Sequence, residues 1–216
     1  MRPIIIFDIE TGPLPEDQID IPQFDASEVK LGNLKDPAKI EAKVEAARVA
    51  HRQTIIDNAA LDALTGRVLM VGYKVVGEPF CHAAGYDEKA VIDQFWKAVT
   101  RYDRMPMVVG FNVKGFDLPF LFRRSWALGL QPPGWLRQGR YWHDSVVDLR
   151  EVWQLGDNRA RGSLDAVAKH LGLGGKTGDG ARFSELFAEK PEEAIAYCRR
   201  DVELTEALYQ KFFGGF

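Results

Sequence analysis

Only two cysteines, Cys81 and Cys198, occur in the 216 residues, far apart and outside any metal-ligand spacing. That scarcity speaks against a disulfide framework or a thiolate zinc site, and both are expected to be reduced core thiols in a cytoplasmic setting. No run approaches the roughly 18 apolar residues that cross a bilayer. The first residues also carry none of the three-part pattern of a secretory leader. Neither a membrane nor export is therefore expected. Basic residues are in deficit, with 28 Lys and Arg against 31 Asp and Glu and a net charge of −3. A nucleic-acid binder that works through a basic surface usually has a pI above about 9, whereas this chain has a pI near 5.9. An enzyme that meets nucleic acid through bound metal ions stays open, because the metal brings the positive charge. Internal repeats are absent. The length permits one domain, 1–216, with a substantial core.

Hydrophobic patterning supplies the elements. Residues 3–9 read as a buried strand, and "IIIFDIETGP" at 4–13 carries it into a Thr-Gly-Pro turn. Residues 14–65 form a loop and helical insertion. Asp36-Pro37 is a cap and first-turn pair, and Ile40, Val44 and Ala47 give the following helix only a thin apolar stripe, as on an appendage. Strands follow at 66–76 and 78–84, joined by a tight turn at Gly77. A helix over 87–102 carries Val91, Phe95, Val99 and Tyr102, and a strand covers 107–112. Further helices start near Asp117, after Ser163 and at Pro191, the last running to Phe213. A long loop covers 130–145, and "SVVDLREVWQ" reads equally as strand or helix. The class is α/β with a mixed sheet, because tightly joined neighbouring strands cannot all be parallel.

Acids interrupt this apolar plan at three places. Asp8 and Glu10 are two apart on a strand, so they share one face about 7 Å apart. Such a pair needs a cation or a nearby base. "GFNVKGFDLPFL" releases a buried strand into Asn112, Phe116 and Asp117. In "AIAYCRRDVELTEAL", Tyr197 and Asp201 lie one helical turn apart, beside a stripe that needs no acid for packing. The series D-x-E, N-x4-D, Y-x3-D resembles the three motifs of the DnaQ-like (DEDD) 3′–5′ exonucleases. It is most similar to the proofreading domain of family B DNA polymerases and its stand-alone relatives. "GSLDAVAKHLGLGGK" resembles the segment before the third motif. The likeness covers 3–13 and 66–213. Members with a histidine place it five residues before the last aspartate, where this chain has Ala196, so it resembles the tyrosine branch.

The resemblance implies an RNase H-like mixed sheet flanked by helices, with the insertion after the first strand. It implies a 3′–5′ exonuclease releasing nucleoside 5′-monophosphates from single-stranded DNA, as in repair or replication editing. Asp8, Glu10, Asp117 and Asp201 would converge at strand ends and hold two divalent cations. Hard oxygen ligands favour Mg²⁺ or Mn²⁺. By resemblance Asp8 bridges the ions, Glu10 and Asp201 hold the one that activates water, and Asp117 acts on the other through its water shell. Tyr197 would orient the attacking water, since a phenol with a pKa near 10 is a poor base. Thr11, Leu14, Asn112 and Phe116 would meet the terminal nucleotide, with Leu14 beside the last base. An exoribonuclease fits the same motifs, as does an inert nucleic-acid-binding module, although the latter has no need of four acids.

Other signals weigh less. His143, Asp144 and Asp148 read as capping or surface groups, and "GLGGKTGDG" as a connection rather than a P-loop. His82 and His170 follow no pattern. Lys30, Lys35, Lys39, Lys43, Arg48 and Arg52 in the insertion read as a solvated charged face, or alternatively as phosphate contacts. Arg123, Arg124, Arg137, Arg140, Arg159 and Arg161 are further candidates for phosphate contact.

Overall fold

The structure is a computed structural model that describes residues 2–136, 144–157, 159–175 and 183–214. Arg137, Arg140, His143 and the second half of the glycine-rich connection lie outside the described residues. Five strands, β1 (Ile4–Pro13), β2 (Gly66–Val75), β3 (Cys81–Ala84), β4 (Met107–Gly110) and β5 (Val146–Asp148), form one sheet in the order β3-β2-β1-β4-β5. The sheet is mixed. β1 and β4 pair in parallel with Ile6 beside Val109, β4 and β5 likewise, and β2 and β3 are antiparallel. Gly77, at φ +89°, makes the turn between β2 and β3.

Helices follow in chain order: α1 (Pro37–Asn58), α2 (Glu88–Thr100), α3 (Asp117–Ala127), α4 (Leu149–Gln154), α5 (Leu164–His170), α6 (Phe183–Glu189) and α7 (Pro191–Phe213). The chain divides into two compact units, one of Met1–Thr11 with Val68–Phe216 and the other of Gly12–Arg67.

In the first unit, alternation along β1 sends successive side chains to opposite faces. Phe7 meets Phe95 of α2 at 5.1 Å between ring centres, and Phe95 and Trp96 continue that aromatic layer toward Phe122 of α3. Ile6 points the other way, into a core with Leu149, Leu164, Val167, Val202 and Leu208 from α4, α5 and α7. A second core joins Leu69 and Met70 of β2 to Phe183, Ala194 and Cys198. Buried Glu88 accepts bonds from both Arg124 Nε and Nη2, at 2.9 and 2.7 Å, and from Val68 N–H. Arg124 is thus a core ion-pair partner and not a phosphate contact.

In the second unit, Asp36 caps α1 by accepting from Ala38 N–H at 3.0 Å, and none of the helix's 22 residues is buried. The foreseen stripe of Ile40, Val44 and Ala47 is half-buried. Lys43 donates to Lys30 O, Arg52 pairs with Glu16, and Arg48 lies over the Phe24 ring. Within the same unit, Leu14 N–H donates to Thr65 O at 2.9 Å.

Four expectations change. β1 does not stop before the Thr-Gly-Pro segment but runs through Pro13, so Asp8 and Glu10 sit inside the strand. The ambiguous "SVVDLREVWQ" is both, β5 followed directly by α4, with Asp148 ending the strand and capping the helix. α6, which the patterning missed, places Phe183 and Phe187 on the core. Tyr102 lies beyond the last turn of α2.

Candidate active site

The face of β1 that buries Ile4 and Ile6 under α5 and α7 continues as Asp8 and then Glu10. Glu10 is 7% exposed and Asp8 half-buried. Behind them, the first residue of α3 reaches the strand: Asp117 Oδ1 accepts the Ile9 backbone N–H at 3.2 Å, and its side chain is 3% exposed. From the other side α7 presents Cys198 and Asp201, three residues apart on one helical face and both buried. Burial pushes the Cys198 thiol well up, and the charges of Glu10, Asp8 and Asp201 push it further. One thiol therefore senses acids from both β1 and α7. The acids do not lie at strand ends as expected: Asp8 and Glu10 are inside β1, and Asp117 and Asp201 are carried by helices.

Asp8, Glu10 and Cys198 each offer one ligand atom, all within 4.8 Å of one another. In the metal-free site, burial and the neighbouring acids favour the thiol over the thiolate that metals bind. The remaining donors are carboxylate oxygens, a set that fits hard divalent cations better than zinc. Tyr197, next to Cys198, is half-buried, with its ring 6.1 Å from that of Phe183.

The model of a family described as a predicted 3′–5′ exonuclease related to the exonuclease domain of PolB matches residues 68–214. The chain belongs to this family. Asn112, Phe116, Asp117, Tyr197 and Asp201 fall inside the matched residues of this exonuclease-related chain, whereas β1 with Asp8 and Glu10 precedes them. The chain is also similar in fold to the family B DNA polymerase of the hyperthermophilic archaeon Pyrobaculum calidifontis. The TM-score is 0.64 at 21% identity, over 98% of this chain and 24% of that one. It thus spans about a quarter of the polymerase's length. No curated protein matches it.

The remaining expected residues of this family member are distributed as follows. Thr11 is half-buried on β1, three residues beyond Asp8. Phe116 precedes α3 and packs at 5.5 Å from Phe120. Leu14 belongs to the Gly12–Arg67 unit. Asn112 adopts a left-handed backbone, φ +67°, which asparagine tolerates better than most residues. It shares with Asp8 the wall of a cavity of about 640 Å³. Asp148 is a buried capping group, as expected: it accepts from the backbone N–H of Asn112, Lys114 and Arg150 at 2.8–3.0 Å. Asp144 is exposed, His82 stacks on Phe80, and His170 meets the Trp153 ring edge-on.

Sequence reasoning missed two residues of this region. Cys198 carried a legible signal, lying one residue after Tyr197 and three before Asp201. Arg150 carried none, because only the β5–α4 junction brings it to Asn112. Among the described residues no helix is long and apolar enough to cross a membrane.

Proposed function

We propose that this chain is a 3′–5′ exonuclease that hydrolyses the last phosphodiester of single-stranded DNA with two divalent cations, Mg²⁺ or Mn²⁺. One observation carries the reading: Asp117 reaches from α3 to the Ile9 N–H, between the two acids of β1, while on α7 Cys198, three residues before Asp201, has its sulfur within 4.8 Å of carboxylate oxygens of Asp8 and Glu10. So many carboxylates gathered in a largely buried site repel one another unless cations join them. Family membership favours the same reaction.

Asp8, Glu10, Asp117 and Asp201 would hold the cations, which supply charge neutralisation and a water acidified enough to attack at neutral pH. Asp117 is kept at β1 by its bond to Ile9. Tyr197 orients the attacking water through its hydroxyl while Phe183 steadies its ring. Asn112, Phe116 and Thr11 position the terminal nucleotide. Water oxygen attacks phosphorus, the bond to the 3′ oxygen breaks, and that oxygen leaves with a proton. The products are a nucleoside 5′-monophosphate and a strand shortened by one residue with a free 3′ hydroxyl.

Incubation of 5′-labelled single-stranded DNA and RNA with Mg²⁺, Mn²⁺ or EDTA, beside Asp8→Ala, tests this. A metal-dependent ladder shortening from the 3′ end of DNA, absent in the variant, is expected. Preference for RNA would reassign the substrate, and inertness with both polymers would leave a binding module.

A further inference from the structure

Beside the acids lies the cavity that Asp8 shares with Asn112, Arg150, Gln154, Arg161 and Ser163. Unlike Arg124 and Lys114, its two arginines pair with no carboxylate among the described residues. Arg124 is spent on Glu88, and Lys114 on Glu151. Arg150 donates Nη1–H to Asn112 Oδ1 at 3.0 Å, a neutral partner, and has no carboxylate partner among the described residues. Its Nε is buried and makes no hydrogen bond there. Arg161 is exposed at the same cavity, also without an ion pair among the described residues.

The backbone beneath Arg150 is fixed. Asp148 binds the N–H groups of Asn112, Lys114 and Arg150, so the strand–helix junction and the loop before α3 are tied to one carboxylate. Gly115 leaves the room this needs, since a Cβ there would stand 2.7 Å from Asn112 Oδ1. A partly buried guanidinium with a fixed backbone, spare donors and no carboxylate bonded to it among the described residues suits a ligand that brings an anion with paired oxygens. A phosphodiester matches that fork, and Arg binds it bidentately.

We infer that Arg150 and Arg161 hold a non-scissile phosphate of the substrate strand, the one next to the phosphate being cleaved. This rests on the nucleic-acid reading above but not on catalysis. Arg150 acts twice: it contacts the phosphate, and it orients the Asn112 amide toward the terminal nucleotide.

The test measures binding without turnover. Fluorescence anisotropy of a labelled oligothymidylate in EDTA is followed against salt for the wild type, Arg161→Gln, Arg150→Gln and the double variant. A single-strand phosphate contact contributes about 0.7 to the slope of log K against log salt. The double variant is expected to lose about that much, and Arg161→Gln to move the same way. An oligonucleotide with an uncharged methylphosphonate next to the 3′-terminal linkage should bind the wild type about tenfold more weakly. It should bind the double variant no more weakly than unmodified DNA does. Arg161→Gln, at an exposed position, keeps the test alive if Arg150→Gln fails to fold. Wild-type slopes with an undiminished methylphosphonate penalty in the variants would overturn the subsite, as would no oligonucleotide binding by the wild type. Binding with these signatures in a protein that cleaves nothing would overturn the nuclease reading and leave the phosphate site standing.

Discussion

Asp117 Oδ1 lies 3.2 Å from the backbone nitrogen of Ile9, so an acid at the start of α3 is bonded to the peptide that separates Asp8 from Glu10. The bond ties residues 108 positions apart in sequence and gives a structural duty to the side chain for which a chemical one is proposed. The two duties separate experimentally. Asparagine keeps an acceptor for the Ile9 N–H but removes the charge; alanine removes both. Asp117→Asn should melt within a few degrees of the wild type yet lose at least about 100-fold in exonuclease rate. Asp117→Ala should lose a further 1–3 kcal/mol of stability, about the cost of a stranded buried donor. Calorimetry beside a 3′-shortening assay reads both, and equal stability of the two variants would count against the structural duty.

Tyr197→Phe retains the ring that packs near Phe183 and deletes only the hydroxyl. Melting temperature and strand affinity should be unchanged, while turnover falls roughly 10–100-fold from loss of water orientation. A variant as fast as the wild type would remove Tyr197 from the reaction.

The two cysteines should differ sharply toward a thiol reagent. Cys81 is exposed and Cys198 buried, with its thiol held protonated by burial and by Glu10, Asp8 and Asp201. Titration with an aromatic disulfide should find one reactive thiol in the native protein and two in denaturant.

Linkage gives the sign of a pH effect at the same sulfur. Because the folded-state thiol titrates above its unfolded value, its contribution to stability is whole below about pH 8.5 and is lost as pH rises beyond it. In EDTA, the wild type should lose stability above that pH faster than Cys198→Ser does. The difference is at most about 1.4 kcal/mol per pH unit. Parallel pH curves would contradict it.

Gly72 on β2 is where the sulfur meets the sheet. A Cβ there would stand 2.5 Å from Cys198 Sγ and 3.0 Å from the Phe80 ring. Gly72→Ala should cost about 1–3 kcal/mol by overpacking. Cys198→Ala should recover part of that in the double variant, a coupling that a mutant cycle measures directly.

The sequence exposed these relationships unevenly. The acids were legible because each interrupts a pattern that packing alone would have kept apolar: Asp8 and Glu10 extend the stripe of Ile4 and Ile6, and Asp201 lies beside a leucine row. Helices α1, α2 and α7 announced themselves through Asp36-Pro37, the Val91, Phe95, Val99 spacing and Pro191. Strand ends were harder. Glycine and proline after Thr11 looked like a stop, yet β1 continues through them to Pro13. "SVVDLREVWQ" gave two answers because it contains two elements meeting at Asp148, whose carboxylate both ends a strand and starts a helix. Arg124 looked like a surface cation because no local pattern reveals a partner 36 residues away; burial beside Glu88 decided it. Arg150 depends likewise on a contact 38 residues distant.

The excursion from Gly12 to Arg67 leaves from one strand and returns on its immediate neighbour in the sheet. Residues can therefore be added or trimmed between Pro13 and Gly66 without re-laying the hydrogen-bond ladder beneath Asp8 and Glu10. That stretch is a natural port for transplanting foreign segments: a swap there changes the second unit while the strand that carries the two carboxylates keeps its pairing.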